Sequence, residues 1–238
     1  MYKQYYTAVI QDNDGRHRKC YGGDELELIK TSWIHNSFAA TVAMQLHGTQ
    51  TVAWFGDCTH ECALLPCYEW ENRKNYEHTD FKPDSFVSHG PRYTDDPICS
   101  AQAYGNVRYF KDNKFGLIKK TWQSLKTHSV IEPDLFISTE LMRHGYLINH
   151  TNDEYVDLEK YMRLQTTRPD WYGEWTINPL PILTVVGNGF GENDYYGPCQ
   201  EYVGRWAFDV IEFCQTFPQA VRNKGYHDIT DKIMFRVS

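Results

Sequence analysis

A chain of 238 residues with 41% hydrophobic and 23% charged residues has the balance of a globular protein and is within reach of one large domain. Its formal net charge of −7, with no run of lysine and arginine longer than a pair such as Lys119-Lys120, argues against general nucleic-acid binding, which needs a basic footprint to displace counterions. No apolar run reaches the ~20 residues that span a bilayer, and Met1 to Thr7 lacks a signal-peptide core, so no membrane partner is expected and the expected location is the cytoplasm.

Tyr5 to Ile10 reads as a strand, Asn13-Asp14-Gly15 as a turn, and Arg18 to Tyr21 as its return strand. The period then changes. Ile34, Phe38, Val42 and Leu46 recur every four residues, which predicts an amphipathic helix over 32–46 with Thr31 or Ser32 as N-cap and Gly48 as its stop. Thr51 to Phe55 is a short apolar strand ending at Gly56-Asp57.

Trp54-Phe-Gly-Asp-Cys-Thr-His-Glu-Cys62 is the first segment with chemistry in it. Asp57 follows a buried strand and His60 lies close behind, a pairing that suits acid–base work or a metal; Gly-Asp after a strand is equally ordinary turn chemistry. Cys58, Cys62 and Cys67 lack the second ligand pair of a zinc signature, and no metal is expected. Seven cysteines, an odd number at irregular spacing, fit reduced thiols.

A short helix near 62–68 precedes an irregular, turn-rich excursion over 72–113. Strands are expected at 115–122 and 135–138. A hairpin follows, 145–151 and 154–158, around a two-residue turn at Asn152-Asp153. His144, Asn149, His150 and Asp157 lie on it, with residues 149 and 157 expected to face one another. They read as an acid–base set or as the polar outer face of a sheet. Trp175 to Val186 reads as one or two strands interrupted by Pro179 and Pro181.

That apolar run stops at three alternating glycines, Gly187, Gly189 and Gly191, followed by Glu192-Asn-Asp-Tyr-Tyr-Gly197. A dinucleotide fingerprint would need a helix after the glycines, and an acidic, unhelical segment stands there instead. The loop reads as a long hairpin connection or a binding loop, with Trp54, Gly187, Asn188, Gly189, Asp194 and Tyr195 as ligand-binding candidates. Arg205 to Phe213 alternates, with Trp206, Phe208, Val210 and Glu212 expected on one face, and Ile233 to Val237 reads as a last strand. Eight to ten strands with one or two packed helices give an α+β fold with a mostly antiparallel sheet, expected as one domain over 1–238. The aromatic content of 15% fits a β-rich core and also an aromatic binding face.

Four segments, Trp33-Ile-His-Asn-Ser-Phe38, Val52-Ala-Trp-Phe-Gly-Asp57, Leu147 to Leu158 and Asn178-Pro-Leu-Pro-Ile-Leu-Thr-x-x-Gly-Asn-Gly189, together resemble an uncharacterised family of bacteriophage and bacterial proteins. The resemblance carries no catalytic residue with it. It implies a viral accessory or host-interaction setting, in the host cytoplasm if the chain is phage-encoded. Glu192-Asn193 departs from the glycine-rich family pattern and speaks against an anion nest in the loop.

No G-x-S-x-G, Walker A or H-E-x-x-H motif is present. The leading expectation is therefore an accessory protein that binds a host protein or a small metabolite, for instance as a host-defence antagonist. The alternative is a hydrolase-like enzyme using Asp57 and His60 near the 187–197 loop, with His150 a further catalytic candidate. A virion or assembly component is the second alternative. Nothing in the sequence names a cofactor.

Overall fold

The computed structural model describes residues 5–20, 27–56, 130–131, 139–167, 176–188 and 194–236. Asp57, His60, the Cys58–Cys67 set, Gly189, the 62–68 helix, the 72–113 excursion and the strands expected at 115–122 and 135–138 lie outside these residues.

Strands β1 (Tyr6–Gln11) and β2 (His17–Cys20) form the expected hairpin, with Ala8 opposite Cys20 and Gln11 opposite His17. Its turn closes where the Gly15 N–H donates to the Asp12 carbonyl at 2.9 Å. Strand β3 (His47–Gly56) runs antiparallel along the other edge of β1. The remaining strands are β4 (Val130–Ile131), β5 (Tyr146–Asn149), β6 (Glu154–Asp157), β7 (Val185–Val186), β8 (Val210–Cys214) and β9 (His227–Asp228). They join one sheet in the order β4-β2-β1-β3-β8-β5-β6-β9, with β7 beside β3. Five pairings are antiparallel, and the three parallel ones are two residues long, so the sheet is mostly antiparallel and the fold α+β as expected.

One edge of β3 is divided. Its first half pairs with β8 through Thr51 and Val210, and its second half pairs with β7 through Trp54 and Val185. The Phe208 N–H donates to the Val52 carbonyl between them. The chain therefore leaves the sheet after β7 and returns to the same edge at β8.

Five helices occur among the described residues, more than the one or two expected: α1 (Leu28–Thr31), α2 (Ser37–Met44), α3 (Leu158–Thr166), α4 (Pro179–Thr184) and α5 (Gln219–Lys224). None is long and apolar enough to cross a membrane. Helices α1 to α4 cover one sheet face, where Tyr6, Ile10, Trp54, Leu147, Val156 and Phe213 meet Leu28, Phe38, Tyr161 and Leu180 in the main core. On the reverse face Val9, Ala53, Phe55, Val186 and Ala207 form a smaller cluster.

Several local expectations are corrected. The helix expected over 32–46 is shorter, α2 from Ser37 to Met44, because the backbone of Trp33 and Ile34 is spent elsewhere. Trp33 makes a strand-like bridge to Ile177, and the Ile34 N–H donates to the Thr176 carbonyl. The N-cap is Asn36, whose side chain accepts from the Phe38 N–H at 2.8 Å. Gly48 lies in β3 rather than ending a helix, at φ +76° in a bulge where the register with β8 shifts.

Segment 179–184 is helical rather than extended. Asn178 caps it by accepting from the Leu180 N–H at 3.0 Å, and both prolines fall in the first turn, whose N–H groups have no intrahelical partner. The expected strand over 205–213 begins only at Val210, after a turn that places Phe208 at φ +62°. Its buried residues are Ile211 and Phe213, the phase opposite to the one expected. Of the strand expected over 233–237, residues 233–236 are described and form none; Ile233 and Phe235 are core residues, and β9 is the last strand among the described residues. The turn after β5 has four residues, His150 to Asp153, because Asn149 Oδ1 accepts from the N–H groups of Thr151 and Asn152 and Asp153 adopts φ +53°. Asn149 accordingly pairs with Glu154 and Tyr146 with Asp157, so residues 149 and 157 do not face one another.

Candidate functional site

The glycine loop is anchored from inside. Gly187 follows β7 at φ +87°. Asn188 is fully buried; its Nδ2 donates to the Tyr195 carbonyl at 2.9 Å and its Oδ1 accepts from the Tyr195 N–H at 2.7 Å. The Tyr195 hydroxyl donates to the Pro198 carbonyl and accepts from the Arg236 N–H. Asp194 accepts a hydrogen bond from the Tyr6 hydroxyl on β1. Trp54 is buried in the core with its ring edge-on to Phe38, centroids 5.9 Å apart. The structure brings Asn188, Asp194 and Tyr195 together as interior ties between the loop, β1 and the C-terminal segment.

His150 lies elsewhere, at the far end of β5. Its Nε2 is 2.8 Å from Glu212 Oε2 and its Nδ1 is 3.2 Å from the Tyr226 hydroxyl. An ionised Glu212 only accepts, so Nε2 carries the hydrogen. Burial raises the pKa of the Tyr226 phenol, and the nearby Asp153 carboxylate raises it further. The Tyr226 hydroxyl, the His150 ring and the Glu212 carboxylate thus form a hydrogen-bonded row. Gly48 makes room for it: a Cβ there would lie 3.1 Å from His150 Nε2 and 3.2 Å from Glu212 Oε2.

Tyr226 also borders a cavity of about 300 Å³ on the outer sheet face. Strand alternation explains its walls. Tyr146 stands opposite Asp157 and Cys214, and Ile148 opposite Tyr155 and Glu212, so these residues share one face while Leu147, Val156, Ile211 and Phe213 point into the core. The segment after β8 folds back over that face. Phe217 packs on Tyr146 and Tyr155 with centroids 4.9 and 4.7 Å away, and the Arg222 guanidinium sits 5.8 Å from the Phe217 ring centre. Tyr146, Tyr155, Phe217 and Tyr226 with Asp157 and Arg222 bound the space.

Burial raises the pKa of Tyr146, Tyr155 and Tyr226, and nearby carboxylates raise it further. All three phenols are therefore neutral at physiological pH, able to donate and to accept. Among the described residues no group of three or more His, Cys, Asp or Glu side chains is placed to hold a metal.

Of the residues singled out in the sequence, the site contains His150 and Asp157. Tyr146 and Tyr155 had a readable signal in the period-two alternation of the hairpin. Phe217, Arg222 and Tyr226 had none, because they reach the sheet through a fold-back that no local pattern announces. Comparison with family models, with curated proteins and with solved structures finds no match to this chain.

Proposed function

We propose that this protein acts by binding, and that a small metabolite enters the cavity between the outer face of β5–β6 and the 217–226 segment. The setting is the one the sequence resemblance implies, a phage-type accessory protein in the host cytoplasm. The observation that carries the reading is a cavity of about 300 Å³ walled by Tyr146, Tyr155, Phe217 and Tyr226 with single charged groups at Asp157 and Arg222. Aromatic walls with a few convergent polar groups are the usual make-up of a small-molecule site. A metabolite library screened by ligand-observed NMR tests it. Hits are expected to bind the wild type and to be lost in Phe217→Ala, which removes the ring on which both tyrosines pack. Hits that bind both proteins alike would place the site elsewhere.

A second reading, an enzyme, is supported by the His150–Glu212 pair joined through Tyr226 to the same cavity. A carboxylate-oriented histidine beside a ligand space is the arrangement general acid–base catalysis uses. It moves the hydrolase alternative from Asp57 and His60 to His150. Here His150→Gln abolishes turnover of a bound compound while leaving its affinity within a few-fold. A compound recovered unchanged from the wild-type protein speaks for binding alone.

A further inference from the structure

Resting on the binding reading above, we infer that the ligand of this cavity is a small free amino acid, its carboxylate held by Arg222 and its ammonium group by Asp157. Two opposite charges border the space, and neither is spent on the other. Arg222 makes no ion pair among the described residues, and its guanidinium is held over the Phe217 ring. Asp157 uses Oδ1 to accept the Lys160 N–H at the start of α3, and among the described residues no hydrogen bond reaches its Oδ2. Both charges act on the Tyr146 hydroxyl, Asp157 raising its pKa and Arg222 lowering it, as opposite charges near one phenol do.

A ligand with one charge satisfies half of this lining and opposes the other half. An anion at Arg222 shares the space with the Asp157 charge, and a cation at Asp157 shares it with the Arg222 charge. A zwitterion satisfies both. Guanidinium suits a carboxylate through paired N–H donors, and a carboxylate with a free oxygen suits an ammonium group. The neutral phenols of Tyr146, Tyr155 and Tyr226 can serve either end. Size sets the class. A space of about 300 Å³ lies at the small end of small-molecule sites, which suits a small metabolite. An amino acid with an apolar side chain, which the aromatic walls cover, fits it better than a nucleotide.

The test is titration calorimetry of the full chain with L-leucine, N-acetyl-L-leucine and L-leucinamide, each against wild type, Arg222→Gln and Asp157→Asn. Asparagine caps helices as well as aspartate does, so Asp157→Asn removes the charge and keeps the start of α3. L-leucine is expected to bind the wild type, with either blocked form at least about tenfold weaker, as the loss of one charge-assisted contact gives. Arg222→Gln is expected to bind the amide and the free acid alike, and Asp157→Asn to bind the acetylated and free forms alike. A blocked form that binds the wild type as well as L-leucine does overturns the zwitterion. If none of the three binds while another metabolite is lost on Phe217→Ala, this inference fails and the binding reading stands. If no metabolite depends on Phe217, both fail.

Discussion

Gly48 offers the sharpest test of how the His150 cluster is built, because the cost of substituting it divides into two parts that other glycines separate. Alanine at φ +76° adopts the left-handed region, which costs an L-residue roughly 1–2 kcal/mol, partly offset by about 0.4–1 kcal/mol from a stiffer unfolded chain. Gly15, at φ +80° with nothing within 4 Å of an added Cβ, bears that backbone cost alone. At Gly48 the same Cβ would also lie 3.1 Å from His150 Nε2 and 3.2 Å from Glu212 Oε2, so the pair must part or shift. Losing a hydrogen bond to a charged group adds about 1.5 kcal/mol, at the low end because both side chains are about a quarter exposed. Gly15→Ala is therefore expected to lose about 1 kcal/mol and Gly48→Ala about 2–3 kcal/mol. Urea unfolding followed by circular dichroism reads this as a larger fall in midpoint for Gly48→Ala at an unchanged slope. Equal losses for the two variants would refute the claim that Gly48 exists to admit the His150–Glu212 pair. In a His150→Ala background, where that bond is already absent, Gly48→Ala is expected to cost only the backbone part, about 1 kcal/mol.

Three further outcomes follow from the same structure. Glu154 is 6% exposed, pairs with Arg205 and accepts from Trp206 Nε1 at 2.9 Å, so Glu154→Leu strands the indole N–H of a fully buried ring. It is expected to cost about 3 kcal/mol by urea unfolding, the low end for a broken buried pair because the Arg205 side chain is 32% exposed; a loss under about 1 kcal/mol would refute it. Burial raises the pKa of Asp228, but its bonds to Thr230 and Lys160 outweigh that and leave it below the usual 3.8. A depressed carboxylate stabilises the fold above its unfolded pKa and loses that contribution as pH falls through its folded value. The stability gap between wild type and Asp228→Asn is thus expected at neutral pH and to close as pH falls below 3.8; a gap independent of pH would count against the Lys160 pairing. Burial pushes the Cys20 thiol up to about 11, leaving roughly one thiolate per thousand at pH 8, so mass-mapped iodoacetamide labelling at that pH is expected to spare Cys20 until the chain is unfolded in urea.

The parts of the fold legible in the sequence are those governed by period and local turn chemistry. The Tyr6–Cys20 hairpin declares itself by Asn13-Asp14-Gly15, and the β5–β6 hairpin by apolar alternation on either side of Asn152-Asp153. Errors arise where a distant segment takes over the backbone. The four-residue period from Ile34 to Leu46 is that of one helix, yet the Ile34 N–H is claimed by Thr176, and nothing near residue 34 reveals it. Pro179 and Pro181 argue against a strand interior, and that much was readable; their fit to a first helical turn depended on seeing Asn178 as a cap.

The same division separates the two regions that concern function. The glycine loop draws the eye because glycine and aromatic residues cluster locally, and its described residues Asn188, Asp194 and Tyr195 turn their side chains inward. The outer-face cavity has a weaker signature because its residues come from five places: Tyr146 on β5, Tyr155 and Asp157 on β6, Phe217 in a loop, Arg222 on α5, and Tyr226 between α5 and β9. What unites them is the register of an antiparallel sheet. Period two puts Tyr146, Tyr155 and Asp157 on the solvent side once Leu147 and Val156 are committed to the core. A one-residue slip of β6 would turn Tyr155 and Asp157 inward and empty the site. The buried Glu154, held by Arg205 and Trp206 at the turn end of that strand, pins the register on which the cavity depends. Glu154→Leu is accordingly expected to loosen ligand binding at Phe217 and Asp157, although Glu154 itself lies on the opposite face.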